Sequence, residues 1–204
     1  MIEQRVSNDT KFWKYKEDVN GYSHLAFVDK TATRSLIGKF LGQPLSKSWM
    51  KLKVHYSKDW EDPGWSTEES KIIRAQREGQ PRGDFVWLVG AESAAVFNDK
   101  ALQVLRLLMG DSVEILPLQC EDDSVHLVNV IDMIDCLDQE KSTIKRYSNG
   151  SIMKIIRHVF KEELLQNKHI FKLPQPQVPI YVSDTFKKTV EEHELRGLIW
   201  EPLP

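Results

Sequence analysis

Residues 97–134 read FNDKALQVLRLLMGDSVEILPLQCEDDSVHLVNVIDMI, and this stretch decides the fold. Asn98 is a preferred N-cap residue and Gly110 is a helix terminator. Between them, apolar residues recur at helical spacing: Leu102, Leu105, Leu108 and Met109. Residues 113–120 and 125–134 are then rich in Val, Ile and Leu, and the acidic residues 121–123 separate them. The stretch therefore predicts a helix followed by a β-hairpin.

Two Asn-Gly dipeptides predict further hairpins, because Asn and Gly readily adopt the positive φ angles of tight turns. Asn20-Gly21 lies between the strand-like segments 12–19 and 22–28, and Asn149-Gly150 lies between 143–147 and 151–160. Capping and termination signals predict helices elsewhere. These run from Asp29 or Thr31 to Leu41, from Ser66 to near Gly79, over 160–166, and from Ser183 to a stop at Gly197. Residues 169–173, 180–182 and 198–200 are predicted strands.

These elements predict an α+β fold with a mostly antiparallel sheet, several short helices packed on it, and a single compact unit. Within that unit the sequence divides into two regions. Residues 1–80 form a Trp-rich N-terminal region that contains four of the six tryptophans, and we expect it to be the variable part of the chain. Residues 81–204 have clearer punctuation between secondary-structure elements.

The charge distribution is uneven although the total is close to zero. The chain has 28 basic and 30 acidic side chains and a net charge of -2, which argues against a protein that binds nucleic acid by bulk positive charge. Residues 84–140, however, contain only Lys100 and Arg106 against 12 acids. Each flanking segment, 1–83 and 141–204, has a net charge of +4. One acidic segment thus lies between two mildly basic ones.

The chain lacks the signals of export and of membrane insertion. Its longest apolar run is Phe85 to Val89, far below the roughly 20 residues of a membrane span. The N-terminal residues show no secretory signal pattern. We therefore expect a cytoplasmic protein. Cys120 and Cys136 are expected to be reduced, packed side chains, since a chain of this size needs no disulfide framework.

No common catalytic motif is present, and we predict no catalytic, cofactor-binding or metal-binding residues. The sequence has no phosphate-binding glycine loop, no His-Glu-x-x-His pair and no Gly-x-Ser-x-Gly elbow. One enzyme alternative is a metal-dependent hydrolase that uses Asp132, Asp135 and Asp138. It is disfavoured because no cation lies between Arg106 and Lys141 to hold a phosphate.

The acidic stretch from Glu121 to Glu140 is either a solvated face or a docking surface for a basic protein, and single-sign charge speeds association with such a partner. Trp60 and Trp65 are candidate apolar anchors. The sequence also admits a housekeeping interaction module. The candidate partner-binding residues are Glu121, Asp122, Asp123, Asp132, Asp135, Asp138, Glu140, Trp60 and Trp65.

From about residue 81 onward, ordered blocks resemble a bacterial immunity-protein family of polymorphic toxin systems, typified by a myxobacterial immunity protein. The blocks are 95–97 leading into 101–105, Val113 to Leu118, 127–130 leading into Asp135 to Asp138, His169 to Leu173, Ile180 to Phe186, and Leu195 to Leu203. The resemblance implies a protein that binds and neutralises a cognate toxin effector domain, without catalysis and without binding nucleic acid or membrane directly. A basic active-site surface on that toxin would suit the acidic segment.

Overall fold

The secondary structure is taken from a computed structural model that describes residues 12–27, 53–56, 79–89, 94–121, 123–175 and 179–203. The strands are β1 (Phe12–Lys14), β2 (Leu25–Phe27), β3 (Lys53–Tyr56), β4 (Ala95–Asn98), β5 (Val113–Cys120), β6 (Val125–Val130), β7 (Thr143–Arg146), β8 (Ile152–Arg157), β9 (Ile170–Phe171), β10 (Tyr181–Ser183) and β11 (Glu201–Pro202). The α-helices are α1 (Asp99–Met109) and α2 (Asp184–Glu192), and 3-10 turns span Gly110–Ser112 and Glu162–Leu164.

Helix α1 confirms the prediction from the opening stretch. The Asn98 side chain accepts a hydrogen bond from the Ala101 N–H at 2.9 Å, as an N-cap residue does. Gly110 ends the helix with φ of 49°, and its N–H donates to the carbonyl of Arg106. The apolar stripe is buried at Ala101, Leu102, Leu105 and Met109. Local capping and periodicity therefore agree with the tertiary packing.

The predicted β5–β6 hairpin is also confirmed, and it forms the centre of a five-stranded sheet ordered β2-β3-β5-β6-β4. Leu118 pairs with Val125 across the turn, although β6 ends at Val130 rather than at residue 134. Strand β3 runs parallel to β5, with Val54 opposite Cys120, so the sheet is mixed.

The predicted N-terminal hairpin is wrong, although its turn is present. Oδ1 of Asp18 accepts hydrogen bonds from the N–H groups of Asn20 and Gly21 at 3.2 and 2.9 Å. The flanking strands nevertheless join different sheets. Strand β1 lies in the sheet ordered β11-β1-β10-β9, whereas β2 pairs with β3. Long-range pairing, such as Phe12 opposite Ser183, overrides the local hairpin preference.

The second predicted hairpin is confirmed as a two-stranded sheet of β7 and β8 on either side of Asn149-Gly150. The helix predicted over 160–166 is reduced to the 3-10 turn Glu162–Leu164. The helices predicted for 29–41 and 66–79 lie outside the described residues.

Helix α2 begins as predicted, because Oγ of Ser183 accepts a hydrogen bond from the Phe186 N–H at 3.1 Å. It ends at Glu192, so Gly197 is not its terminator. Gly197 instead has φ of 110° and packs against the backbone of Phe85, where a Cβ would lie 2.4 Å from the Phe85 carbonyl oxygen. The last strand is Glu201–Pro202 rather than 198–200.

The α+β class and the single compact unit are confirmed, but two details of the fold prediction overstate the case. The described residues contain two α-helices rather than several short ones, and they form three sheets of which one is mixed. The parallel β3–β5 pairing joins distant segments, and no local turn signal marks it. None of the described helices is long and apolar enough to cross a membrane.

The two sequence regions are interleaved within this unit. Strands β1 and β3, from residues 1–80, pair with β10 and β5, from residues 81–204. The aromatic contacts follow the same pattern, since Tyr15 lies 6.1 Å from Phe85 and 6.2 Å from Phe97 between ring centroids. The proposed boundary near residue 80 therefore divides the sequence without separating the packing of the described segments.

Candidate partner-binding surfaces

The predicted acidic surface is divided between the two ends of β6. Glu121 and Asp123 lie at the β5–β6 turn, whereas Asp132 and the acids that follow it lie beyond the other end of the strand. Six strand residues span about 20 Å. We call the first group the acidic tip and residues 131–142 the acidic loop. Asp122 lies outside the described residues.

At the acidic tip, Asp123 is tied to the neighbouring strand. Its Oδ2 accepts a hydrogen bond from the Tyr56 hydroxyl at 2.7 Å, and its Oδ1 accepts one from the Ser124 N–H at 2.8 Å. Burial, and secondarily Asp123, raises the pKa of Tyr56 well above its usual range, so this hydroxyl stays a donor. Glu121 is exposed beside it. The tip thus presents a positioned carboxylate and a solvent-facing one.

Within the acidic loop, Asp132 is an internal ion-pair partner. Its Oδ2 accepts hydrogen bonds from the Ser112 hydroxyl at 2.7 Å and from Nζ of Lys168 at 2.6 Å. This carboxylate joins the end of α1 to the segment before β9, and the lysine offsets its charge. Asp132 therefore contributes little negative charge to a docking surface.

Asp138 stabilises the turn that leads into β7. Its Oδ1 accepts hydrogen bonds from the N–H groups of Glu140 and Lys141 at 3.2 and 3.1 Å, and Nζ of Lys141 lies 3.2 Å from its Oδ2. The Lys141 N–H is the main cause of the lowered pKa of Asp138, and the Lys141 side chain adds to it. Asp135 and Glu140 are exposed, so they are the solvent-facing acids of the loop.

The hydrolase alternative lacks a ligand set in the described part of the chain. No group of three His, Cys, Asp or Glu side chains there could hold a metal ion, and Asp132 and Asp138 already have lysine partners. Cys136 is buried, and burial raises the pKa of its thiol to about 12, with a smaller contribution from Asp135. A thiolate nucleophile at this position is therefore strongly disfavoured.

The structure reveals a second surface that the sequence predictions missed. The β7–β8 hairpin lies within residues 141–161, which contain six Lys or Arg and no Asp or Glu. It also holds three of the exposed large apolar side chains, Tyr147 (52% exposed), Met153 (41%) and Ile156 (51%). A count over residues 141–204 conceals this cluster, because seven acids from Glu162 onward offset it. A charge count over about 20 residues at a time shows the cluster in the sequence.

A groove of about 690 Å³ lies between this hairpin and the β1–β10 sheet. Its basic lining residues are Lys14, Arg146 and Lys154, and the lining among the described residues includes no acid. His158, also in the lining, has its Nε2 3.0 Å from the Tyr181 hydroxyl. Burial, and secondarily Lys14, lowers the pKa of His158 to about 4, so the positive charge of the groove at neutral pH comes from Arg146 and Lys154, while Lys14 forms an ion pair with Glu201 at 2.5 Å.

The two surfaces are adjacent at the base of the hairpin. The Arg146 guanidinium donates a hydrogen bond to Oε1 of Gln139 in the acidic loop at 2.8 Å. The Asp138 N–H donates to the carbonyl of Val159, and Leu137 forms a β-bridge with Phe160. Exposed acids and exposed cations therefore lie side by side, an arrangement suited to recognising another protein. Trp60 and Trp65 lie outside the described residues.

Comparison with known proteins supports the family resemblance that the sequence indicates. Residues 118–203 match the family model described as "Immunity protein family (Imm11)". The match confirms the resemblance to an immunity protein family. It begins at residue 118, later than the predicted start near 81, and includes the acidic tip, the acidic loop and the β7–β8 hairpin. No curated protein matches the chain.

Proposed function

We propose that this chain is a bacterial immunity protein that neutralises a cognate secreted toxin in the cytoplasm by forming a tight, stoichiometric complex with it. The observation that carries the proposal is the family match over residues 118–203. The toxin would belong to a polymorphic system used in competition between bacteria, and the producing cell would be protected by binding alone.

The acidic residues supply the electrostatic part of the proposed interface. Glu121, Asp135 and Glu140 are exposed and free to meet a basic toxin surface, and such complementary charge raises association rates in a salt-dependent way. Asp123 contributes a carboxylate that hydrogen bonds from Tyr56 and Ser124 hold in place. Asp132 and Asp138 act mainly inside the protein, through Lys168 and Lys141. Trp60 and Trp65 remain proposed apolar anchors of the N-terminal region.

Co-expression tests the function directly. The toxin domain encoded beside this gene is expressed under an inducible promoter, with and without this chain, and growth is followed. Rescue of growth together with a one-to-one complex in solution is the expected result. Continued toxicity at equal expression would contradict the proposal.

Charge reversal tests the surface. We expect D135K/E140K and, separately, E121K to weaken binding at least tenfold and to reduce the dependence of Kd on salt. The matched control is D111K/E192K, which reverses two exposed acids outside the acidic stretch. Equal Kd values for all three variants and the unmodified chain would exclude the acidic residues as the docking surface.

A further inference from the structure

The β7–β8 ladder contains an unfavourable charge pair. Lys145 and Lys154 are directly opposite each other in the antiparallel register, and like charges in this position destabilise a sheet. Both side chains are exposed, and neither has a carboxylate within ion-pair distance among the described residues. Lys154 interacts only weakly with the carboxylate of Glu201, because its contribution to the lowered pKa of Glu201 is smaller than those of Lys14 and Lys16. A local cost of this kind is expected where the side chains serve a binding role.

Strand β8 has two register shifts that turn apolar side chains outward. Register shifts leave Met153 and Ile156 without partners on β7, which is the pattern of a β-bulge. Ile152 and Ile155 are three residues apart, and in a regular strand they would face opposite sides. The shifts instead let both pack into the cluster around Phe171, while Met153 and Ile156 become exposed.

The exposed hairpin surface comprises three apolar side chains and four cations: Tyr147, Met153 and Ile156, with Lys145, Arg146, Lys154 and Arg157. Apolar anchors with a charged rim are typical of protein interfaces. Surfaces that bind single-stranded nucleic acid instead combine basic grooves with several aromatic stacking platforms, and this surface has a single aromatic residue. Its chemistry thus favours an acidic protein surface as the partner.

We propose that the exposed hairpin surface docks onto an acidic, partly apolar patch of the toxin, with Met153 and Ile156 as anchors and Lys145 and Lys154 as charge partners. This inference rests on the proposed function and adds a second contact to it. The acidic loop would meet a basic patch of the toxin, and the adjacent hairpin would meet an acidic one. Neighbouring patches of opposite sign fix the orientation of a complex, because a rotated partner would place like charges together.

The decisive variant is K145E. It places a glutamate opposite Lys154 and replaces a repulsive pair by an attractive one. We expect the melting temperature to stay the same or rise, while the Kd for the toxin domain encoded beside this gene increases at least tenfold. Loss of binding cannot then be attributed to misfolding. The control R106E reverses one exposed cation on α1 and should leave the Kd within twofold.

The apolar part is tested by M153S/I156S, with L107S/L164S as the control, since Leu107 and Leu164 are exposed elsewhere. We expect at least a tenfold increase in Kd for the first variant alone. If both hairpin variants bind like the unmodified chain, this inference is overturned and the proposed function stands. If the unmodified chain neither binds nor rescues, both fail. Salt-sensitive binding of a 20-nucleotide DNA or RNA that K145E abolishes, without an effect on toxin binding, would overturn it in favour of a nucleic-acid site.

Discussion

Asp84 and Arg196 are 112 positions apart, yet the Arg196 backbone N–H donates a hydrogen bond to Oδ2 of Asp84 at 2.8 Å. Oδ1 of the same carboxylate accepts a hydrogen bond from Nδ2 of Asn98 at 3.0 Å. Asn98 in turn caps α1 through Ala101. One carboxylate, 9% exposed, thus joins the start of α1 to the loop that follows α2.

The Asp84→Ala variant tests this connection. The substitution leaves a backbone donor and the Asn98 amide without their acceptor, and unpaired buried groups are costly. We expect the free energy of unfolding to fall by about 3 kcal/mol, measured by urea denaturation. The control is Asp111→Ala, at an exposed position, which should change it by less than about 0.5 kcal/mol. Equal denaturation midpoints for the two variants would contradict the assignment.

Replacement of Gly197 by alanine is predicted to lower the free energy of unfolding for two separate reasons. Its φ of 110° is unfavourable for other residues, and an added Cβ would lie 2.4 Å from the Phe85 carbonyl oxygen. Gly150 has a φ of 83° but open space around it. We expect Gly150→Ala to cost about 1 kcal/mol and Gly197→Ala about 3 kcal/mol in thermal or urea unfolding. Equal costs would show that the close approach to Phe85 is unimportant.

The elements that the sequence predicts well are those whose signals are local. Helix α1 has its cap, stripe and terminator within 13 residues, and the β5–β6 and β7–β8 hairpins have turn residues between apolar runs. The prediction of an N-terminal hairpin is wrong although the Asn20-Gly21 turn forms, because β1 pairs with β10 and β2 pairs with β3. The parallel β3–β5 pairing leaves no local trace at all.

The candidate site shows the same limit. Acidity of the stretch from Glu121 to Glu140 was evident from counting, but only the fold separates exposed Asp135 from Asp132, whose carboxylate Ser112 and Lys168 occupy. The cationic hairpin was hidden by averaging over a long segment. Its bulges at Met153 and Ile156 depend on strand register, which composition does not determine.

Protonation of His158 should lower the free energy of unfolding in mild acid. Burial is the main cause that lowers its pKa to about 4 in the folded chain, against an ordinary value of about 6.5. Between these values the unfolded chain binds the extra proton, so the free energy of unfolding falls as the pH decreases from 6.5 to 4. His169 has a pKa shift of the same sign.

At about 1.4 kcal/mol per pKa unit, reduced for partial exposure, the His158 contribution is roughly 2 kcal/mol. We expect the free energy of unfolding of His158→Gln to gain that amount relative to the unmodified chain as the pH decreases from 7 to 4 in urea titrations. The control is His193→Gln, at an exposed position. An unchanged slope in His158→Gln would contradict the assignment.

Glu17 should act in the opposite direction over the same pH window. Burial raises its pKa to about 7, so between pH 4.5 and 7 the folded chain holds a proton that the unfolded chain releases. The free energy of unfolding therefore falls as the pH rises through this window. Because His158 and Glu17 have opposite slopes, their contributions largely cancel, and the unmodified chain should show little net dependence from these two groups.

Glu17→Gln removes one of the two opposing contributions and exposes the other. We expect this variant to be more stable than the unmodified chain by roughly 2 kcal/mol at pH 8, because a neutral amide replaces a partly buried carboxylate, and to be equally stable at pH 4. Between these values its stability should fall with decreasing pH, as the His158 contribution requires. Glu163→Gln, at an exposed position, is the matched control. A Glu17→Gln variant that gains nothing at pH 8 would show that the Glu17 carboxylate is solvated in the folded chain.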